Sequence, residues 1–294
     1  MQKVTHSEYI AQKKPLAKQL LAKLNEKYQY ASVLITDNYE KGYRASRSGV
    51  AISATNAFGG KGMIVKVYDG KGYAEYSTNE ITAENLPEIE REIEQQLMNP
   101  ANFIPEGTEE AEYKCISDEP CTLCEATDYE IHPREVGDEK LIETVTALRE
   151  KAVKADERIL DAITGFNYQE YHKLFLSANR ELEQSVLYST GIMALVAAKG
   201  EEIKQSFRGF SNLGGAELLD KMESAIPQCV KTVTDLLNAE PMEPGTYECV
   251  CTPEVTGMIV HEAFGHGVEM DMFVKDRALA QSYIGKQVAS PLVT

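Results

Sequence analysis

The sequence predicts an α/β chain of the α+β kind: helices packed on an antiparallel or mixed sheet in an N-terminal domain, followed by the start of a second domain. Three observations carry this reading. Apolar residues switch between helical and strand-like periods along the chain. The order helix, strands, helix occurs twice, without visible residue-level identity between the halves. The run Glu240-Pro241-Met242-Glu243-Pro244-Gly245 holds two prolines and a glycine, which oppose both helix continuation and strand pairing. At roughly 150 residues per domain, 294 residues suggest two domains. The boundary falls in that run, giving an α/β domain over 1–240 and the beginning of another over 241–294.

Each element follows from its pattern. Leu16, Leu20, Leu21 and Leu24, with lysines between them, describe an amphipathic helix over about 14–28. Met63, Val65 and Val67 alternate with Ile64, Lys66 and Tyr68, and Asp69-Gly70 supplies a favoured two-residue hairpin turn before a strand at 73–77. Leu86, Ile89, Ile93 and Leu97 line one face of a second helix, and Pro87 confines its start to the neighbourhood of Asn85. Residues 106–140 hold twelve acidic and three basic side chains, more than half of the net charge of −16, and read as an exposed excursion. A long helix follows over 141–159 (Leu141, Val145, Leu148, Ala152, Ala155, Ile159), then alternating strands over 168–210. Helices are predicted near 216–226 and 229–237, separated by Pro227, and Cys229 shares the apolar face of the second with Val233, Leu236 and Leu237. Past the linker come a strand over 246–251 and an apolar helix over 255–264.

Composition narrows the function. No apolar run approaches the ~20 residues of a membrane-spanning helix, so no membrane is expected as a partner. A net charge of −16 repels a phosphate backbone, which argues against nucleic acid. Six cysteines in this length make no disulfide framework, the N-terminus lacks a secretory apolar region, and a cytoplasmic location is expected.

The chemistry concentrates in Met258-Ile-Val-His261-Glu262-Ala-Phe-Gly265-His266-Gly267-Val-Glu269. Two imidazoles and a carboxylate at one helix end are the ligand and base types that a divalent metal, zinc foremost, requires. On a regular helix, positions five apart lie roughly 140° around the axis from each other, so His261 and His266 share a face only through a π-type turn or a helix break. Gly265 and Gly267 are expected to permit that distortion. With both rings on the metal, Glu262 stands beside the attacking water as general base, as in His-Glu-x-x-His metalloproteases. Polar groups this dense after the apolar run 258–260 would incur a desolvation cost if they had no partner, which favours metal binding over packing.

His261-Glu262-Ala263-Phe264-Gly265-His266, continuing through Gly267 and Glu269 to Asp271, resembles the signature of the TldD/PmbA metallopeptidases, specifically the TldD-like catalytic branch. A weaker likeness extends over the N-terminal helix, the strand pair around Asp69-Gly70 and the helix after Thr82. The resemblance implies an α/β N-terminal domain, a mostly β catalytic domain carrying the metal helix, and hydrolysis of small, unfolded or modified peptides. It implies Zn2+ held by His261 and His266, Glu262 as the catalytic residue, and a dimer, either of identical chains or with a TldE/PmbA-like subunit lacking the motif. Its third ligand is a cysteine expected beyond Thr294, since members of the family are longer and this chain looks C-terminally truncated. Two imidazoles alone leave zinc under-coordinated, so the chain by itself is expected to be metal-poor and inactive.

Other motifs weigh less. Cys121-Thr-Leu-Cys124, with Cys115 before it and His132 after it, is half a zinc site or a redox pair, against the plainer reading of loop thiols. Cys249 and Cys251 read as small buried strand residues. Gly59-Gly60-Lys61-Gly62 lacks the first glycine and the Ser/Thr of a phosphate loop and reads as a hairpin turn. Gly209-Phe-Ser211-Asn-Leu213 falls one glycine short of a nucleophile elbow, which argues against a serine hydrolase. The competing functions are a non-catalytic scaffold or partner subunit, and a metal- or redox-responsive module built on Cys115, Cys121 and Cys124.

Overall fold

A computed structural model describes residues 1–54, 60–98, 115–274 and 277–292. The chain divides into two compact units, 1–239 and 240–294. The first contains β1 (Gln2–Lys3), α1 (Glu8–Lys27), β2 (Tyr30–Ser46), β3 (Gly49–Ala54), β4 (Gly60–Tyr68), β5 (Tyr73–Thr78), α2 (Leu86–Met98), β6 (Cys121–Ala126), β7 (Asp128–Tyr129), α3 (Pro133–Val136), α4 (Asp138–Lys154), β8 (Ile159–Ser177), β9 (Arg180–Lys199), β10 (Glu202–Leu213) and α5 (Leu218–Leu236).

Local chemistry sets several boundaries differently from the periodicity. Helix α1 begins at Glu8 rather than near 14, because the Ser7 hydroxyl accepts the Ile10 amide at 3.1 Å and caps the first turn. Tyr68 pairs with Tyr73, so the β4–β5 connection is longer than a two-residue turn. The Asp69 carboxylate closes it by accepting the Gly72 and Lys71 amides at 2.9 and 2.8 Å. Those amides hold its carboxyl below the ordinary range, and Gly70 occupies the positive φ of 101° that the turn needs. Helix α2 starts where expected, with the Ile89 amide on the Asn85 carbonyl at 3.1 Å.

Other expectations are corrected. Residues 106–114 lie outside the described residues, and 115–140 are no excursion: β6 joins the main sheet, β7 pairs with β1, and α3 and the start of α4 follow. Helix α4 ends at Lys154, and Ile159 opens β8, because Asp156 turns the chain by accepting the Arg158 amide at 2.9 Å. A single helix, α5, replaces the two expected around Pro227. The proline is exposed, on the side of the helix away from its buried face. Gly60, Lys61 and Gly62 lie within β4 rather than in a turn, while Gly59 is outside the described residues. Ser211 lies within the extended β10, with no strand-to-helix elbow.

The main sheet runs β10-β9-β8-β2-β4-β5, with β3 pairing the far half of β2 and β6 the near half of β9. All pairs are antiparallel except β6–β9, which is parallel. The antiparallel pair β2–β8 forms the centre, flanked by the two helix–strands–helix halves that the periodicity suggested. Because strand side chains alternate, Val33, Ile35 and Tyr43 of β2 share one face with Leu174 and Phe166 of β8 and Leu187 and Leu195 of β9. The buried residues of α1 and α2 meet one end of that face (Leu20, Leu24, Ile89, Ile93) and those of α4 and α5 the other (Leu141, Val145, Met222, Val233). Two hydrophobic clusters therefore sit under one helical layer, and the row Asp37, His172, Ser185 passes between them.

The second unit contains α6 (Pro253–Ala263), a 3-10 turn over Gly265–Val268, α7 (Met270–Val274) and a 3-10 turn over Leu279–Tyr283. The expected strand over 246–251 does not form: no strand pairs with it among the described residues, and Cys249 and Cys251 are exposed rather than buried.

Candidate metal centre

Helix α6 starts with Pro253, whose missing amide is an orphan at a helix start in any case. It runs through the apolar residues Val255, Met258, Ile259 and Val260 to the motif. The helix then breaks. Phe264 still donates its amide to the Val260 carbonyl at 3.0 Å, but its φ of −137° and ψ of −34° leave the helical region, and the Gly267 amide turns back to the Phe264 carbonyl at 2.9 Å. The tighter turn rotates His266 back toward His261, whose ring it meets edge-on with centroids 4.6 Å apart. A break, not a π-turn, brings the imidazoles together.

The glycines do not supply that break through backbone freedom, since neither Gly265 nor Gly267 has positive φ. The desolvation argument from the apolar run also fails, because Met258, Ile259 and Val260 are themselves exposed.

One ligand atom each from His261, Glu262 and His266 lies within 4.8 Å of the other two, and all three residues are exposed. The Glu262 Oε2 is 3.7 Å from His266 Nε2. Glu269, three residues past His266, brings its Oε1 to 2.7 Å from His266 Nδ1. That hydrogen bond, aided by the charges of Glu269 and Glu262, raises the pKa of His266 above the ordinary imidazole value. It also engages Nδ1 and leaves Nε2 facing Glu262, the carboxylate–histidine arrangement that orients metal-ligating rings. Two imidazoles, a close carboxylate and an orienting second carboxylate fit a divalent transition metal by donor type and spacing. The sequence signal for Glu269 was its place in the motif; its role emerges only from the turn.

The cysteine motif does not assemble. Residues three apart on a strand face opposite sides, so Cys121 and Cys124 of β6 diverge, and among the described residues His261, Glu262 and His266 form the sole triple of potential ligands. Cys229 is buried, as its helical face predicted.

The family model for the PmbA/TldA metallopeptidase C-terminal domain matches residues 244–294, the segment that carries this site. A protein named metalloprotease from Methanothermobacter thermautotrophicus is 31% identical over 101 residues, covering 34% of this chain and 22% of that protein. Another, from Methanocaldococcus jannaschii, is 20% identical over 277 residues, covering 93% of this chain and 59% of its own length. Among solved structures, a candidate modulator of DNA gyrase from Bacteroides thetaiotaomicron superposes with a TM-score of 0.69 at 15% identity, over 94% of this chain and 62% of that one. TldE from Thermococcus kodakarensis superposes with a TM-score of 0.53 at 13% identity, over 74% and 47%. The α+β fold is that of these structures, and residues 244–294 carry the segment that the PmbA/TldA metallopeptidase C-terminal domain model describes. The chain's curated relatives are named metalloproteases, and it spans 59% or less of their length in these matches.

Proposed function

We propose that the protein is a zinc-dependent peptidase of the TldD-like branch, acting on small, unfolded or modified peptides. The observation that carries this reading is the convergence of His261, Glu262 and His266 through the helix break, with Glu269 fixing His266. His261 and His266 would hold the ion, through Nε2 in the case of His266. A zinc ion in such a site polarises the scissile carbonyl and makes water acidic enough to attack near neutral pH. Glu262 accepts the proton of the attacking water and delivers it to the leaving amine, which its position opposite His266 Nε2 allows. The Glu269 carboxylate holds the His266 ring in one orientation throughout. A third protein ligand, a cysteine in the family resemblance, and a TldE/PmbA-like or identical partner subunit belong to the same proposal. The fold shared with TldE supports the kinship of the subunits.

In a form of the protein that includes the third ligand, Glu262→Gln is the decisive variant: peptide hydrolysis is expected to fall by about 100- to 10,000-fold while zinc content is retained. Unchanged hydrolysis removes Glu262 as base. Zinc content unaltered by the double change of His261 and His266 to Ala places the metal elsewhere.

A further inference from the structure

The polar row between the two hydrophobic clusters ends at a solvent-exposed thiol. His6 precedes the α1 cap, and its Nδ1 lies 2.9 Å from the Ser185 hydroxyl. The same hydroxyl lies 2.9 Å from His172 Nδ1, and His172 Nε2 is 3.7 Å from Glu170. On its other side, His6 Nε2 is 3.4 Å from the sulfur of Cys124. Glu183 places a carboxylate oxygen 3.7 Å from His6 Nδ1 and is itself tied to Lys14 at 2.9 Å. Ser185 is 1% and His172 8% exposed, whereas Cys124 is open to solvent.

A hydroxyl between two ring nitrogens accepts from one and donates to the other. When His6 takes the thiol proton on Nε2, both its nitrogens become donors: Nε2 faces the new thiolate and Nδ1 donates to Ser185. Ser185 then turns its hydrogen to His172 Nδ1, which leaves His172 protonated on Nε2, toward Glu170. Glu183 stands close enough to His6 to stabilise its positive charge. Every proton in that arrangement has an acceptor, so a transfer from the thiol to His6 would strand no buried polar group.

We infer that Cys124 and His6 form a nucleophilic thiol site, with His6 as base, that takes low-molecular-weight disulfides. The Cys124 thiolate attacks one sulfur of the disulfide and a new S–S bond forms. The old S–S bond breaks, and the departing thiolate takes the proton held by His6, so one mixed disulfide and one free thiol result. Cys121, on the opposite face of the same strand, has no such base among the described residues and serves as an internal control.

The experiment treats the whole chain with oxidised glutathione at neutral pH and follows each cysteine by peptide mass spectrometry. Cys124 is expected to form the mixed disulfide at least about tenfold faster than Cys121 or Cys115, the gain from converting a mostly protonated thiol into a thiolate. His6→Gln is expected to bring Cys124 down to the rate of Cys121, with the circular dichroism of the fold preserved. Equal rates at Cys124 and Cys121 in the unaltered protein overturn the inference without any variant. An undiminished Cys124 rate in folded His6→Gln does the same. Peptide hydrolysis plays no part in the readout.

Discussion

Glu269 illustrates how one side chain decides the chemistry of another. By occupying His266 Nδ1 at 2.7 Å, it determines which ring nitrogen remains for an ion. Glu269→Ala is expected to weaken zinc binding by about 10- to 100-fold, as loss of such outer partners commonly does, measured by competition with a chromophoric chelator. An unaltered affinity would show that His266 orients itself. The raised pKa of His266 sets the pH side of the same measurement. A protonated imidazole cannot ligate, so zinc retention declines on acidification from a higher pH than for an ordinary histidine.

Elements show where local rules yield to packing. Helix α5 carries Pro227 in its interior, yet runs unbroken because Met222, Ile226, Cys229, Val230 and Val233 are buried on one face and outweigh the local penalty. The proline sits on the exposed side, so removing it disturbs no packing. Pro227→Ala is therefore expected to stabilise the fold by about 1–3 kcal/mol, read as a higher urea midpoint. A lower midpoint would mean the ring packs in a way its exposure denies. Gly191 of β9 has a different character: a Cβ there would press on the Met222 side chain of α5, whose flexible thioether end would have to shift to admit it.

Across the first unit, the polar row ties together the halves that periodicity alone leaves independent. Glu170 of β8 is the most buried carboxylate in it, held by Arg134 Nε at 2.7 Å and by His132 and His172 at 3.8 and 3.7 Å. Burial works against its charge, but the His172 hydrogen bond and the Arg134 and His132 charges prevail, and its pKa is lowered. A carboxylate with a depressed folded pKa contributes stability above its unfolded value of ~4.3 and loses it as pH falls through the lower folded value. Glu170→Gln is expected to reduce stability by about 1.5–3 kcal/mol at pH 7 and to flatten the acid limb, measured by urea unfolding across pH. An identical acid limb in the variant would assign that pH dependence to other groups.

The sequence by itself determined whatever depends on neighbours along the chain. The helical and alternating apolar patterns placed α2, α4, α6 and the β4–β5 pair, the twofold helix–strands–helix order, and the need for a distortion between His261 and His266. Tertiary structure decided what depends on partners far away in sequence. The strand expected over 246–251 found none among the described residues, whereas Cys121–Ala126, within the acidic stretch, gained one in β9. Alternation of side chains separated Cys121 from its motif partner Cys124. Pairing of β8 with β9 set His172 beside Ser185, and the start of α1 brought His6 to Ser185 and Cys124, although nothing in their spacing connects positions 6, 124, 172 and 185. A hydrogen-bond register between distant strands is chosen by the burial of whole faces, and a local pattern records which face a residue occupies but not which residue it will meet.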